Sequence, residues 1–177
     1  MKQKLLIAAL TCFAASLSFA EEVKVGAEAP NFTLKDSSGK THSLSDYKGK
    51  FVVLEWFNEG CPFVKKHYSS GNMQKLQKEY TGKDVVWLSI NSSAEGEQGH
   101  VTPESAPKTI ADWKMDSTKL LLDGDGKVGK MYGAKTTPHM FVIDKAGKLV
   151  YQGAIDSKPT PNTADLEGAE NYVRVAL

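Results

Sequence analysis

The stretch Phe51–Tyr68 reads FVVLEWFNEGCPFVKKHY, and the fold depends on the change of structure within it. Its first part, Phe51–Phe57, is a nearly continuous apolar run, which is typical of a strand covered on both faces. Gly60 can adopt the backbone conformation that turns a strand into a helix. Pro62 suits the first helical position because it has no amide hydrogen to leave unsatisfied. The stretch therefore predicts a strand, a turn and a helix that begins directly after Cys61.

A helix that begins at Pro62 places Cys61 at its N-cap. The unpaired amide hydrogens and the helix dipole favour a negative charge at that position, and cysteines there react readily as thiolates. Lys65 and Lys66, one turn along the helix, are expected to act in the same direction. We therefore predict that Cys61 is a chemical nucleophile. A buried structural cysteine is the alternative, because cysteines are commonly buried.

Residues 1–20 have the pattern of a signal peptide. MKQK is a short basic head, LLIAALTCFAASL is an apolar run too short to span a bilayer, and SFA precedes the expected cleavage site after Ala20. Cleavage would remove Cys12 and leave Cys61 as the only cysteine. The pattern predicts a periplasmic or secreted protein, with a retained anchor as the alternative. In an oxidising compartment a lone thiol is a hazard unless it is buried or used.

The charge of the domain expected at residues 21–177 bears on its partners. Loss of the two lysines within residues 1–20 leaves 20 basic residues against 21 acidic ones. This near-neutral balance argues against nucleic acid and against an anionic membrane as the main partner. The four histidines show no paired metal-ligand spacing, so the sequence predicts neither a metal nor a cofactor.

Apolar runs and turn signals predict the remaining elements. The expected strands are a hairpin within Phe32–Leu44 and runs at Val85–Ile90, Leu120–Leu122, Met140–Ile143 and Leu149–Tyr151. The expected helices are Pro62–Tyr80 with a kink at Ser69–Gly71, Thr102 to about Trp113, and Thr163 to the last residue. This order predicts an α/β sandwich with a parallel strand pair and a closing antiparallel hairpin.

Two further features of the sequence are the carboxylate of Glu55 and the proline at position 138. Glu55 interrupts the apolar run of its strand, where a poorly solvated carboxylate can hold or pass a proton. A carboxylate at the wet end of the strand is the equal alternative. In Thr136–His139 (TTPH), the proline precedes the apolar run MFVI. Most X–Pro bonds in folded proteins are trans, so the sequence alone favours a trans bond at Pro138.

The pattern of Cys61–Pro62 at a helix start and Thr137–Pro138 before a strand resembles the thioredoxin-like superfamily. Val25–Phe57 is similar to the opening of its redoxin branch, the AhpC/TSA or peroxiredoxin-like proteins, and Met131–Asp156 is similar to the close. The likeness is greatest to exported single-domain thioredoxin family proteins. The resemblance implies a three-layer sandwich, in which helices flank a central mixed β-sheet that carries an N-terminal β-hairpin.

The resemblance also implies roles for individual residues. Cys61 takes the reactive-cysteine position, Pro138 that of the cis-proline facing it, and Thr137 that of the residue whose backbone pairs with a substrate chain. Glu55 falls where thioredoxins place a buried acid that handles protons. Trp56 is expected beside Glu55, either as packing or as a cover for the thiol.

Several positions depart from the family patterns. Val64 stands where thioredoxins have their second cysteine, so a local resolving thiol is missing. Asn58 replaces the threonine of peroxiredoxins, and the arginine that they place against the peroxide has no counterpart near Cys61, because Arg174 is the sole arginine. Lys65 stands where copper-delivering relatives have a second cysteine. Asn58 and Lys65 are expected to substitute only in part for the peroxidase groups.

We therefore predict an exported thiol-dependent oxidoreductase that uses Cys61 to reduce peroxides, as an antioxidant, or to exchange with disulfides. An external thiol would restore it. Relatives of this type commonly continue with a tail that carries another cysteine, so we expect the domain to be truncated at its C-terminus relative to them. The alternatives are a redox-inactive binding module on the same fold and a copper-handling chaperone.

Overall fold

The computed structural model describes residues 23–177, so the predicted signal peptide at residues 1–20 lies outside the described residues. The strands are β1 (Thr33–Asp36), β2 (Thr41–Ser43), β3 (Val52–Trp56), β4 (Val86–Asn91), β5 (Lys119–Leu122), β6 (His139–Ile143) and β7 (Leu149–Gly153). The helices are α1 (Pro62–Ser69), α2 (Asn72–Thr81), α3 (Ala106–Asp112), α4 (Lys127–Tyr132) and α5 (Tyr172–Ala176), with 3₁₀ turns at Leu44–Tyr47 and Thr163–Leu166.

The seven strands form one mixed sheet in the order β2-β1-β5-β4-β3-β6-β7. Strands β3, β4 and β5 are parallel to one another, whereas β1 and β6 pair antiparallel with β5 and β3. The hairpin β1–β2 lies at one edge and β7 at the other. The predicted mixed sheet, N-terminal hairpin and closing hairpin are all present.

Strand β3 lies in the middle of the molecule and is buried along its whole length. Val53 faces the core formed with α1 and α2, and Leu54 faces the core formed with α4. Because successive side chains of a strand point to opposite faces, a strand between two helical layers needs apolar residues at nearly every position. The run FVVLEWF reflects this three-layer arrangement.

All three predicted helices have different bounds in the structure. The helix expected at Pro62–Tyr80 is divided at the predicted kink into α1 and α2, where Gly71 has a φ of +76°. The helix expected from Thr102 begins at Ala106, because Thr102 and Ser105 bond each other's backbone amides in a preceding turn. The helix expected from Thr163 to the chain end is wrong as a single element. It is interrupted at Gly168, where φ is +72°, and resumes at α5, whose N-cap is Asn171. Within residues 23–177, no helix has the length and apolar character needed to cross a membrane.

Candidate active site

Cys61 lies at the N-cap of α1 with an extended backbone (φ −72°, ψ 128°). Its amide donates to the carbonyl oxygen of Asn58 at 3.1 Å, which closes the turn between β3 and the helix. The side chain is half-buried and is not in a disulfide. Cys61 therefore lies at the edge of the core, where the residue is partly open to solvent.

The segment before β6 faces the sulfur. The bond between Thr137 and Pro138 is cis, as the resemblance implies and in contrast to the statistical preference for trans. Cys61 Sγ lies 2.9 Å from the carbonyl oxygen of Thr137, to which the thiol hydrogen donates. The structure thus brings together Cys61, Thr137 and Pro138, although 76 residues separate the first two along the chain.

Val64 occupies the position at which a second cysteine would follow Cys61. Its side chain is completely buried and packs in the core that contains Phe57 and Tyr68. The first turn of α1 therefore offers one sulfur at its exposed end and a hydrocarbon side chain on its inner face.

Glu55 is completely buried in β3, so the alternative at the wet end of the strand is wrong. Its oxygens accept four hydrogen bonds, from Tyr68 Oη (2.8 Å), Gln77 Nε2 (2.9 Å), Trp87 Nε1 (2.7 Å) and Ser89 Oγ (3.0 Å). Burial raises the pKa of Glu55, and the four donors oppose this shift only in part. The carboxyl group therefore holds a proton more readily than an exposed glutamate does.

The donors around Glu55 come from α1, α2 and β4. Gln77 is fixed in orientation because its Oε1 accepts from the amide of Asp116 at 2.8 Å while its Nε2 also donates to Tyr68 Oη at 2.9 Å. Ser89 lies directly opposite Glu55 in the β3–β4 register. This network was not predicted from the sequence. Ser89, which interrupts the apolar run VVWLSI, is the signal that could have indicated a polar partner for Glu55.

Trp56 points to the other face of the sheet, so its side chain is not beside Glu55 as expected. It packs against the rings of Tyr132 and Phe141, with ring centroids 5.6 and 5.0 Å away. Its Nε1 donates to Ser92 Oγ at 3.0 Å. These contacts make Trp56 part of the core on the α4 side.

Asn58 bonds residues of the segment after β4, and Lys65 is exposed. The side-chain nitrogen of Asn58, Nδ2, donates to Ser93 Oγ (3.0 Å) and to the carbonyl oxygen of Gln98 (2.9 Å). Lys65 is exposed on the outer face of α1. Arg174 pairs with Glu79 at 2.6 Å, on the helical layer rather than at the sulfur.

Lys66 was expected to support the thiolate, and this expectation is wrong. Its side chain is buried, and Nζ bonds Asp156 Oδ2 at 3.2 Å and the carbonyl oxygen of Lys158 at 2.9 Å. His67 is also buried, with Nε2 3.6 Å from the same carboxylate oxygen. Burial lowers the pKa of His67 to about 4 and so favours a neutral ring, while Asp156 opposes this shift.

A groove runs beside Pro138. It has a volume of about 470 Å³, and its apolar lining includes Phe63, Pro138 and Ile155. Phe63 lies two residues after Cys61 and is 39% exposed. We call this feature the Pro138 groove. Within residues 23–177, no group of three or more histidine, cysteine, aspartate or glutamate side chains is placed to hold a metal ion.

Comparison with known families agrees with this site. The AhpC/TSA family matches residues 25–152, and the chain belongs to that family. It is 31% identical over 147 residues to the thiol-disulfide oxidoreductase ResA of Geobacillus thermodenitrificans (strain NG80-2), over 82% of this chain and 79% of that protein. It is 28% identical over 142 residues to ResA of Bacillus cereus (strain ATCC 10987 / NRS 248), over 80% of this chain and 76% of that protein.

Solved structures show the same architecture. The exposed lipoprotein thioredoxin Etrx1 of Streptococcus pneumoniae (strain TIGR4) superposes with a TM-score of 0.57 at 28% identity, over 78% of this chain and 97% of that one. These comparisons confirm the predicted family, the thioredoxin-like α/β fold and the class of thiol-based oxidoreductase. The substrate and the roles of the individual site residues stay predictions.

Proposed function

We propose that the chain is a monothiol oxidoreductase whose Cys61 exchanges with disulfides outside the cytoplasm. One observation carries the proposal: the half-buried sulfur lies at the start of α1, 2.9 Å from the Thr137 carbonyl and beside cis-Pro138. This arrangement leaves the sulfur accessible while the loop before β6 offers a backbone surface to a substrate. Because position 64 is a buried valine rather than a cysteine, the sulfur acts without a neighbouring thiol on the helix.

The reaction is two successive exchanges. The Cys61 thiolate attacks one sulfur of a disulfide R–S–S–R′, so that a Cys61–S–S–R bond forms and R′–S⁻ leaves. A second, external thiolate then attacks the R sulfur, giving a new disulfide and the Cys61 thiolate again. In a chain with a second cysteine at position 64, an internal thiolate would instead attack the Cys61 sulfur, form a disulfide between positions 61 and 64, and release R–S⁻. Here the mixed disulfide is expected to persist until an external thiol arrives.

The other site residues have supporting roles in this proposal. The backbone of Thr137 pairs with an extended substrate, and Pro138 shapes the groove beside it. Glu55 is the group that holds or passes a proton, because burial raises its pKa and its bond to Tyr68 links it to the helix of Cys61.

Disulfide exchange is favoured over peroxide reduction by two observations. Two similar relatives are named thiol-disulfide oxidoreductases. In addition, the side-chain amide of Asn58 is bonded to Ser93 and Gln98. Lys65 is exposed, and Arg174 is engaged with Glu79. None of these contacts supports a group that polarises a peroxide at Cys61.

Intact-mass analysis tests the proposal. The protein without residues 1–20 is mixed with one equivalent of hydroxyethyl disulfide or of hydrogen peroxide, with Cys61→Ser as the control. We expect the hydroxyethylthio adduct to form, to persist, and to be removed by added thiol, while peroxide produces slower oxidation. Faster oxidation by peroxide would favour a peroxidase. Reaction with neither oxidant would favour a binding module. Cell fractionation of the full chain tests export.

A further inference from the structure

The loop of residues 92–100 (SSAEGEQGH) lies against the turn that precedes Cys61. Asn58 joins the two. Its Nδ2 donates to Ser93 Oγ and to the carbonyl oxygen of Gln98, at 3.0 and 2.9 Å. Its Oδ1 accepts from the amide of Gly60 at 2.7 Å. One side chain therefore bonds both the loop and the residue directly before the cysteine.

A second asparagine holds the base of the same loop. Asn91 at the end of β4 is 1% exposed, and its Nδ2 donates to the carbonyl oxygens of Phe57 (3.1 Å) and Gly99 (2.9 Å). His100 adds a bond from Nδ1 to the carbonyl oxygen of Ser93 at 2.6 Å. The 92–100 loop is thus fixed to the end of β3 despite its polar, glycine-rich sequence.

Two glycines allow the loop to approach this closely. A Cβ atom at Gly99, where φ is +74°, would lie 2.1 Å from Asn58 Oδ1. A Cβ atom at Gly60 would lie 2.5 Å from the side chain of Gln98. Contacts this short are excluded for real side chains, so the loop and the turn before Cys61 are packed with almost no space between them.

We propose that Asn58 is a positioning residue for Cys61, and that the 92–100 loop it holds is a specificity-determining wall of the site. The inference rests on the proposed function. Asn58 acts through the turn, because its side chain bonds the amide of Gly60 and its carbonyl accepts the amide of Cys61. With the loop fixed at Gly60, a disulfide is expected to reach the sulfur past Thr137, whose carbonyl oxygen lies 2.9 Å from it.

A small loss of geometry at such a turn has a measurable effect on rate. Loss of one hydrogen bond that fixes the cysteine is expected to slow its reaction about fivefold, because a reacting atom must be held within a narrow range of positions. A purely structural role for Asn58 predicts something different. It would lower thermal stability and would change the reactivity of Cys61 only in proportion to the unfolded fraction.

Three variants separate the bonds of Asn58. Asn58→Ala removes the bonds to the loop and to Gly60. Asn58→Asp keeps an oxygen for the amide of Gly60 but loses the donor to the loop. Ser93→Ala removes a single loop acceptor. Asn162→Ala is the matched control, because Asn162 caps a 3₁₀ turn outside the site with the same kind of bond.

The experiment measures second-order rate constants of Cys61 with hydroxyethyl disulfide and with the larger oxidised glutathione, together with thermal midpoints. We expect Asn58→Ala to slow the reaction of Cys61 with hydroxyethyl disulfide about five- to thirtyfold, which corresponds to the loss of one to two hydrogen bonds. Asn58→Asp should keep that rate within about twofold, as one turn bond remains. In Asn58→Asp the loop is no longer held by the side-chain donor. The rate constant with oxidised glutathione should therefore come closer to the rate constant with hydroxyethyl disulfide.

The inference is overturned if all the Asn58 variants keep the unmodified rates after correction for folded fraction, or if Asn162→Ala slows the reaction equally. If Asn58→Ala does not fold, Asn58→Asp and Ser93→Ala still test the loop through the ratio of the two disulfide rates. Should the unmodified protein react with neither disulfide, the proposed function fails on its own. Positioning is then tested by iodoacetamide alkylation of Cys61, for which Asn58→Ala should show the same loss.

Discussion

The two ends of helix α1 are built in different ways. At its N-terminal end, the N-cap residue Cys61 is half-buried and its side chain makes a single hydrogen bond, to Thr137. At the other end, Lys66, His67 and Tyr68 are successive residues and all three are buried. Lys66 and His67 contact Asp156, and Tyr68 donates to Glu55.

The difference indicates how a helix can present a reactive atom at the surface. The buried end is attached by polar contacts both to β3 and to the segment after β7, which fixes the direction of the helix axis. The N-terminal end then needs fewer polar contacts of its own, and Cys61 can be left half-buried. Burying the charged pair Lys66–Asp156 removes both groups from water. The attraction between the two charges does little more than compensate for this desolvation cost. We infer that this pair fixes the helix orientation more than it adds net stability.

The largest expected effect comes from breaking the buried end. Lys66→Met preserves the length of the side chain but leaves the Asp156 carboxylate buried without its cation. Breaking a buried ion pair by removing one partner lowers the free energy of unfolding by about 3–5 kcal/mol. Urea unfolding at neutral pH measures this loss.

The neighbouring residue provides the control. Lys65 is exposed and one position earlier, so Lys65→Met should change the free energy of unfolding by no more than about 0.5 kcal/mol. The double variant Lys66→Met with Asp156→Asn should recover part of the loss, because no charge is then left unpaired. Equal effects of the two lysine variants would contradict the assigned difference between the ends.

A smaller, pH-dependent effect is expected at Glu55, the partner of Tyr68. Burial raises the pKa of Glu55 in the folded state above its ordinary value of 4.5. Between those two pKa values the folded state binds more protons than the unfolded state. The stability contribution of Glu55 is therefore fully present below pH 4.5 and is lost as the pH rises through the folded pKa.

The variant Glu55→Gln isolates this contribution, because an amide does not titrate. The free energy of unfolding of the unmodified protein, minus that of the variant, should fall with rising pH above about 4.5. The slope for one proton is at most about 1.4 kcal/mol per pH unit. Urea unfolding across a series of buffers measures the difference. A difference that rises with pH would show that the four donors outweigh burial.

The exposed end of α1 could be predicted from the sequence because its signals are local. Gly60, Cys61 and Pro62 are adjacent, and each has a conformational preference that acts on its own neighbours. The buried end could not be predicted in this way. Asp156 is 90 residues beyond Lys66, and a lysine next to another lysine has the appearance of an exposed helix face.

Other parts of the site also differ in whether local sequence signals or contacts between distant residues determine them. The residue pattern left two equal placements for Glu55, because its four donors come from three separate elements. The resemblance implies Trp56 beside Glu55, although the side chains of adjacent strand residues point to opposite faces. Pro138 was expected to be trans from statistics alone, and only the family resemblance implied the cis bond. At α5 the amphipathic spacing concealed the break at Gly168.

The smallest expected change in stability tests the exposed end itself. Val64→Cys places a second sulfur on the inner face of the first turn, one helical turn after Cys61. Residues three apart on a helix have Cβ atoms about 5–6 Å apart, and a disulfide needs them at about 3.5–4.5 Å, which a modest adjustment of the first turn can supply. Since the two side chains are similar in size, the free energy of unfolding should change by less than about 1.5 kcal/mol.

The chemical outcome of Val64→Cys should be much larger than its energetic one. The new thiolate is expected to attack the mixed disulfide at Cys61, so the adduct no longer accumulates and an internal disulfide replaces it. Intact mass after hydroxyethyl disulfide treatment distinguishes the products, with Val64→Ala as the control without a second sulfur. If the adduct persists in Val64→Cys as long as in the unmodified chain, the inner face of the helix is out of reach of the site. The monothiol character of Cys61 would then follow from the geometry of the first turn rather than from the identity of one residue.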